Sequence, residues 1–346
     1  MRRIICLSVL LLLLVQPASA MEFTAPTIDS PAQELMPVEV SSFGSDLWKI
    51  VKKAISEFRP DLAEGAGVCL SVTAVVMLIS LLKGLPGGQE RPLELAGTLA
   101  VALLLLSTTK SMVHLGAETV TQLSEYGKLL LPVMTTAMAA QGGLTSSTAL
   151  YTATAIFDSL LSNGITRLLI PLVYLFLALS VSSCMVPEEI LKKLRDFAKW
   201  LMSWGLKILL YVFTGYISIT GVVSGTADAS LVKATKITMS GMVPVVGGIL
   251  ADASEAVVIG AGMMKNAVGV YGMLAVAAIW IEPFLQIGLQ YLLLKVTAAL
   301  CSVFGVKQVA ELIQSFSTAM GLLLGMTGAV CILLLVSVLC FMKGMG

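Results

Sequence analysis

The chain has 346 residues, 57% of them apolar and 12% charged, with 22 basic against 21 acidic residues and a formal net charge of +1. Soluble globular chains carry about 45–50% apolar and about 25% charged residues. This chain therefore lacks the charge to cover a water-facing surface, while its apolar content excludes disorder. A polytopic membrane protein remains, and a net charge near zero gives no signal for nucleic acid as a partner.

Arg2 and Arg3 precede an uncharged apolar run from Ile4 to Val15, then Pro17 and the small-x-small pattern Ala18-Ser19-Ala20. Residues 1–20 read as a secretory signal peptide that leaves the mature N-terminus outside the cytoplasm. The alternative is a retained first span, for which the run is short against a core of about 30 Å. Residues 21–40 are a polar, Pro-bearing lead. Phe43, Leu47, Ile50, Val51, Ala54, Ile55 and Phe58 then mark one face of a helix over 42–58. That helix either lies in the membrane interface or packs on the protein itself.

Gly65–Leu82 and Pro92–Thr109 form a two-span hairpin whose turn, with Lys83 and Arg91, suits the cytoplasm. A mixed stretch follows at 111–127, then a short apolar segment from Leu129 to Ala140 that contains Pro132 and stops at Gln141-Gly142-Gly143. Thr145–Leu161 is rich in small residues, the composition of a segment facing protein or a cavity. Ile165–Met185 is a span with Pro171 inside it. Pro187 opens an amphipathic helix with Glu188 and Glu189 in its first turn, where acid suits the helix dipole. Its cations Lys192, Lys193, Arg195 and Lys199 are topology determinants that place it in the cytoplasm. Trp200–Val222 crosses back. After another mixed stretch come a short segment with Pro244, Gly247 and Gly248, then Asp252, a long apolar region from Ala256 to Gly305, an amphipathic piece at 306–316, and a last span from Thr318 to Met342.

A shift of 112 residues lays the chain on itself: Pro132 falls on Pro244, Pro171 on Pro283, and Arg195 on Lys307. The expected fold is thus all-α and polytopic, with two tandem repeats carrying short broken or re-entrant helices after an N-terminal two-span unit. The units are 1–20 (signal peptide), 21–61 (lead and amphipathic helix), 62–110 (hairpin), 111–222 (repeat 1) and 223–346 (repeat 2 with the C-terminal span). Paired broken segments, here 128–143 and 240–255, point to a transport site because a helix break frees backbone groups that protein, water or solute must satisfy. They read equally as kinked packing helices. Re-entrant segments make the repeats parallel; crossing segments make them inverted.

Glu282, beside Pro283 in the long apolar region, is the most costly charge to bury. It serves ion coupling or subunit pairing, or else sits near a span end or stays protonated. With Pro132, Pro244, Gly142, Gly143, Gly247, Gly248 and Asp252 it makes up the candidate pore-lining set. Lys207 reads as snorkelling, and Glu94 and Arg167 as interfacial. Gly321, Gly325 and Gly328 form a small-residue packing face on the last span. The five cysteines after Cys6 lie in apolar runs and read as buried small side chains. Walker A, HExxH and GxSxG signatures are missing, and His114 has no metal-ligand spacing, so no catalytic residue, metal or cofactor is expected.

Leu131-Pro132-Val133 through Gln141-Gly142-Gly143, the run Val243-Pro244-Val245-Val246-Gly247-Gly248-Ile249-Leu250-Ala251-Asp252-Ala253, and Lys265-Asn266-Ala267-Val268-Gly269 resemble the stage III sporulation protein AE family of endospore-forming Firmicutes. The resemblance covers roughly residues 40–346, and the lead at 21–40 is shorter than the family's. It implies a mother-cell membrane protein facing the engulfed forespore, one subunit of a complex spanning the intermembrane space. Its partners would be the other membrane and ring-forming proteins of that complex, an ATPase acting in trans, and the lipid bilayer. The role is permease- or export-gate-like; the alternatives are a stand-alone secondary transporter of a small metabolite and a purely structural anchor. The family supplies no catalytic residues to carry over.

Overall fold

The computed structural model describes residues 26, 32–37, 43–83, 90–141, 144–186, 188–208, 210–215 and 247–343. The signal peptide, Gly142, Gly143, Pro187, Pro244 and the stretch 216–246 lie outside them. Every regular element among the described residues is helical: α1 (Ala32–Leu35), α2 (Phe43–Glu57), α3 (Arg59–Lys83), α4 (Glu90–Ala140), α5 (Leu144–Gly164), a π turn (Ile165–Leu169), α6 (Ile170–Met185), α7 (189–208, helical again at 210–215), α8 (Gly247–Val303) and α9 (Lys307–Lys343). Five stretches among these residues are long and apolar enough to cross a bilayer: Leu62–Lys83, Arg91–Ala140, Ser147–Met185, Asn266–Val303 and Lys307–Met342. The chain is a multi-pass helical membrane protein.

Two helices outrun a bilayer. At about 1.5 Å per residue, the 51 residues of α4 span roughly 75 Å and the 57 of α8 roughly 85 Å, against a core of about 30 Å. The one in the first half of the chain, α4, takes in most of the first segment expected to be broken. Residues 128–140 are not a separate short segment but the end of α4, and the unit boundary at 110/111 falls inside that helix. Pro132 removes one rung, since it has no N–H to offer the carbonyl of Lys128, and the helix runs on because α8 and α9 pack along it. Pro283 sits inside α8 in the same way. The region 240–255 is described from Gly247, where α8 begins. Helix starts at 189 and 307 lie 118 residues apart, so these boundaries do not follow the 112-residue interval.

Pro171 has a different effect. It cannot donate to the carbonyl of Arg167, and the ladder ahead of it widens: the N–H of Ile170 bonds to the carbonyl of Ile165, five residues back. This π turn lets α5 and α6 form one apolar rod from Ser147 to Met185.

α8 and α9 make the largest helix pair, and α4 packs on both. They are antiparallel to each other, with Ser317 Oγ donating to the carbonyl of Tyr291 and Trp280 Nε1 reaching Thr327 Oγ1 at 3.4 Å. Gly321 faces the Tyr291 ring and Gly328 faces Trp280, while Gly325 faces Leu206 of α7, so the small-residue face packs within the chain. α3 runs beside the second half of α8, with Ser80 Oγ donating to the carbonyl of Phe304. Gly305, at φ +78°, makes the tight α8–α9 turn that a side chain would strain. α2 settles on α8 through buried Ile50 and Ala54, which favours packing on the protein, while Trp48 and Ile55 stay exposed. Lys53 Nζ donates to the carbonyl of Glu34 and ties α1 to α2. Cys69, Cys184, Cys301 and Cys331 are buried among the helices.

Candidate functional site: polar groups at membrane depth

α9 sets the depth scale. From Leu312 to Met342 it carries no Asp, Glu, Lys or Arg. α4 runs parallel to it: a methyl on Gly116 would lie 3.3 Å from Leu323, and one on Gly127 would lie 2.7 Å from Leu334. The α4 segment from 110 to 128 therefore sits beside the apolar middle of the last helix. Along it Lys110, His114, Glu118, Thr121, Glu125 and Lys128 recur at i, i+4, i+8, i+11, i+15 and i+18, a single helical face, and all six are exposed. Among the described residues none of them forms a salt bridge; Glu118 accepts from Gln122 Nε2 at 3.3 Å. Charge on lipid at this depth costs several kcal/mol, about 2.5–3.5 per residue on insertion scales.

A polar cavity of about 360 Å³ lies between α3, α4 and α8. Glu64, Ser107, Thr108, Ser111, Gln286 and Gln290 supply its polar lining. Gln290 is 4% exposed and its Nε2 has no hydrogen-bond partner among the described residues. Gly65 allows the close approach, since a Cβ there would come within 3.0 Å of Leu293 Cδ1. Glu282 stands one turn above: Gln286 Nε2 reaches its Oε1 at 3.5 Å. Glu282 is thus half-buried beside polar company, and Pro283 is buried next to it.

The structure separates the other expected site residues. Pro132 lies at the level of Gly269–Gly272, since Leu130 would meet a Cβ on Gly272 and Met134 one on Gly269. Pro283 is some 12 residues, roughly 18 Å, farther along α8. Gly247, Gly248 and Asp252 are in the first two turns of α8, and the side chain of Asp252 is outside the described set.

Sequence reasoning missed Asp158. Ser124 Oγ donates to its Oδ2 at 2.6 Å, the carboxyl is 3% exposed, and Oδ1 has no hydrogen-bond partner among the described residues. One turn back along α5, Thr154 Oγ1 meets Ser337 Oγ at 3.0 Å. The available signal was that Asp158 and Arg167 are the two charges in the whole rod from Ser147 to Met185.

A second cavity, of about 700 Å³, opens where α6, α7, α8 and α9 meet. It brings Lys192, Arg195 and Lys199, expected only to set topology, together with Lys295 and Lys307.

No solved protein structure matches the chain. A Bacillus subtilis (strain 168) protein named Stage III sporulation protein AE is 21% identical over 253 residues, which cover 72% of this chain and 63% of that protein. Residues 35–344 match the family described as Stage III sporulation protein AE, whose name is that of a sporulation protein rather than an enzyme. With nearly the whole chain matched and five apolar spans in place, this multi-pass membrane protein belongs to the Stage III sporulation protein AE family.

Proposed function

We propose that the chain is a membrane subunit of a complex linking mother cell and forespore during sporulation, with a permease- or export-gate-like role. The charged face of α4 carries this reading. Its five ionisable side chains, Lys110, His114, Glu118, Glu125 and Lys128, at the depth of an apolar neighbour helix need water or another protein against them, whereas Thr121 Oγ1 already donates to the carbonyl of Ala117. A conduit wall or a subunit interface supplies either, whereas an isolated anchor has no use for such a face. The cations near the α3, α6 and α8 ends support a cytoplasmic location for that end of the bundle. Energy would come from an ATPase in trans, since the chain has no Walker motif.

The test is co-purification from sporulating cells, paired with late forespore gene expression. Glu118→Gln with Glu125→Gln is expected to insert normally, lose its partners and arrest the forespore. Normal partner recovery and normal forespore gene expression in that variant refute the assignment of this face; normal forespore gene expression after deletion refutes the whole reading.

The polar cavity beside Glu282 favours a second reading, a secondary transporter of a small polar metabolite. It expects gradient-driven uptake by the chain alone in proteoliposomes, abolished by Glu282→Gln. Uptake that persists in Glu282→Gln counts against that carboxylate.

A further inference from the structure

We propose that the basic cavity between α6, α7, α8 and α9 is a binding site for the phosphate headgroup of an anionic phospholipid. Its rim carries Lys192, Arg195, Lys199, Lys295 and Lys307. Asp196 and Glu311 are its two carboxylates, leaving a formal surplus of three positive charges. Part of this charge is already engaged. Arg195 Nε bonds Asp196 Oδ1 at 3.2 Å, and Lys295 Nζ leans over Tyr291, 3.0 Å from its hydroxyl and 5.2 Å from its ring centre. Lys192, Lys199 and Lys307 are exposed and in no salt bridge among the described residues. Like charges gathered from three helices repel one another unless an anion lies among them, and a phosphate suits such a cluster because it accepts several charge-assisted hydrogen bonds at once.

Two neighbouring features select a lipid over a free anion. Leu292, Val296, Leu300 and Val303 are all exposed and form a stripe on α8 directly beside the lining residues Lys295, Ala299 and Ser302. Acyl chains would lie along this stripe while the headgroup enters the cavity. On α7, Phe197, Trp200 and Trp204 stack in a ladder, with ring centres 5.9 and 5.2 Å apart, and all three are at least half exposed. Such aromatic ladders settle at headgroup level, and basic pockets between helices at that level hold anionic headgroups. The cations of 187–199 thereby acquire a ligand in addition to their effect on topology.

The full chain in detergent, titrated with phosphatidylglycerol or phosphatidylcholine and read by native mass spectrometry, tests this. The wild type is expected to retain phosphatidylglycerol well above phosphatidylcholine, and excess inorganic phosphate is expected not to displace it. Each neutralised cation lowers retention roughly fivefold, so Lys295→Gln with Lys307→Gln loses roughly 25-fold, and Lys295→Arg with Lys307→Arg retains the lipid. Lys193→Gln, a neighbouring cation outside the cavity, leaves binding unchanged. Equal retention of the two lipids by the wild type overturns the proposal without recourse to any variant. So does displacement by inorganic phosphate, which would mark a soluble-anion site, or an equal loss in Lys193→Gln, which would mark diffuse attraction.

Discussion

Gly272→Ala probes the contact that keeps α4 continuous against α8. An added Cβ would lie 2.7 Å from Leu130 Cδ2, 2.9 Å from Cδ1 and 3.4 Å from Cγ. Both branches of the leucine are struck, so turning one away drives the other in, and Leu130 is buried, at 1% exposed. Overpacking of this kind costs about 1–3 kcal/mol, offset by about 1 kcal/mol of improved helix propensity. Gly288→Ala isolates the second effect, because it lies on the same helix with nothing within 4 Å of its Cβ. The two variants should differ by roughly 1–3 kcal/mol, with Gly288→Ala the more stable, in reversible denaturant unfolding in micelles followed by tryptophan fluorescence. In a Leu130→Ala background the obstruction is gone and Gly272→Ala should become stabilising, a coupling of the size that contacting residues show. Equal gains from both alanines in the wild-type background would refute this packing. Gly269→Ala is a milder case, since its obstruction is the flexible thioether of Met342 and the methyl of Met134.

Two further outcomes follow from single contacts. Asp158→Ala should cost about 1–3 kcal/mol, because the Ser124 hydroxyl loses its buried acceptor, and Asp158→Asn less, because the amide oxygen still accepts from Ser124. A double-mutant cycle with Ser124→Ala reads the pair, and strict additivity would show that it does not interact. Gly305→Ala should destabilise by about 1–2 kcal/mol through its left-handed backbone alone, as no atom lies within 4 Å of the added methyl, and Gly305→Asn should lose less. Thermal unfolding of the two variants checks that order.

Helix identity and the ends of the apolar runs were legible because hydropathy and glycine placement speak directly to them. The last described helical residue of α4 is Ala140, just ahead of Gln141-Gly142-Gly143, and α8 turns at Gly305. Continuity was not legible in the same way. A hydropathy window reads the charges from Lys110 to Lys128 as a gap between spans, yet those charges keep the 3.6-residue period of the helices on either side. Pro132 and Pro171 looked alike in sequence. One is absorbed inside a helix flanked by α8 and α9, and the other shifts its ladder by one residue, a distinction that arises from neighbours well over a hundred residues away or one turn upstream.

The candidate site shows the same divide. Glu282 was visible because a lone carboxylate beside proline in an apolar run is costly wherever the helix lies. Its polar surroundings were not visible, because Ser107, Thr108 and Ser111 reach Gln286 and Gln290 only when α4 passes antiparallel to α8 at that height. The α4 face was fully visible as spacing and still unread, since its meaning depends on depth. A charged stripe is unremarkable on a helix in water, and it becomes a demand for a partner only when Gly116 and Gly127 register it against the uncharged stretch of α9. Depth is a tertiary quantity set by helix pairing. The charges between the apolar runs are therefore the ones whose surroundings only pairing reveals: the stripe on α4 as a face beside an uncharged stretch of α9, and the cations of α7 as part of a cavity as well as a sign of topology.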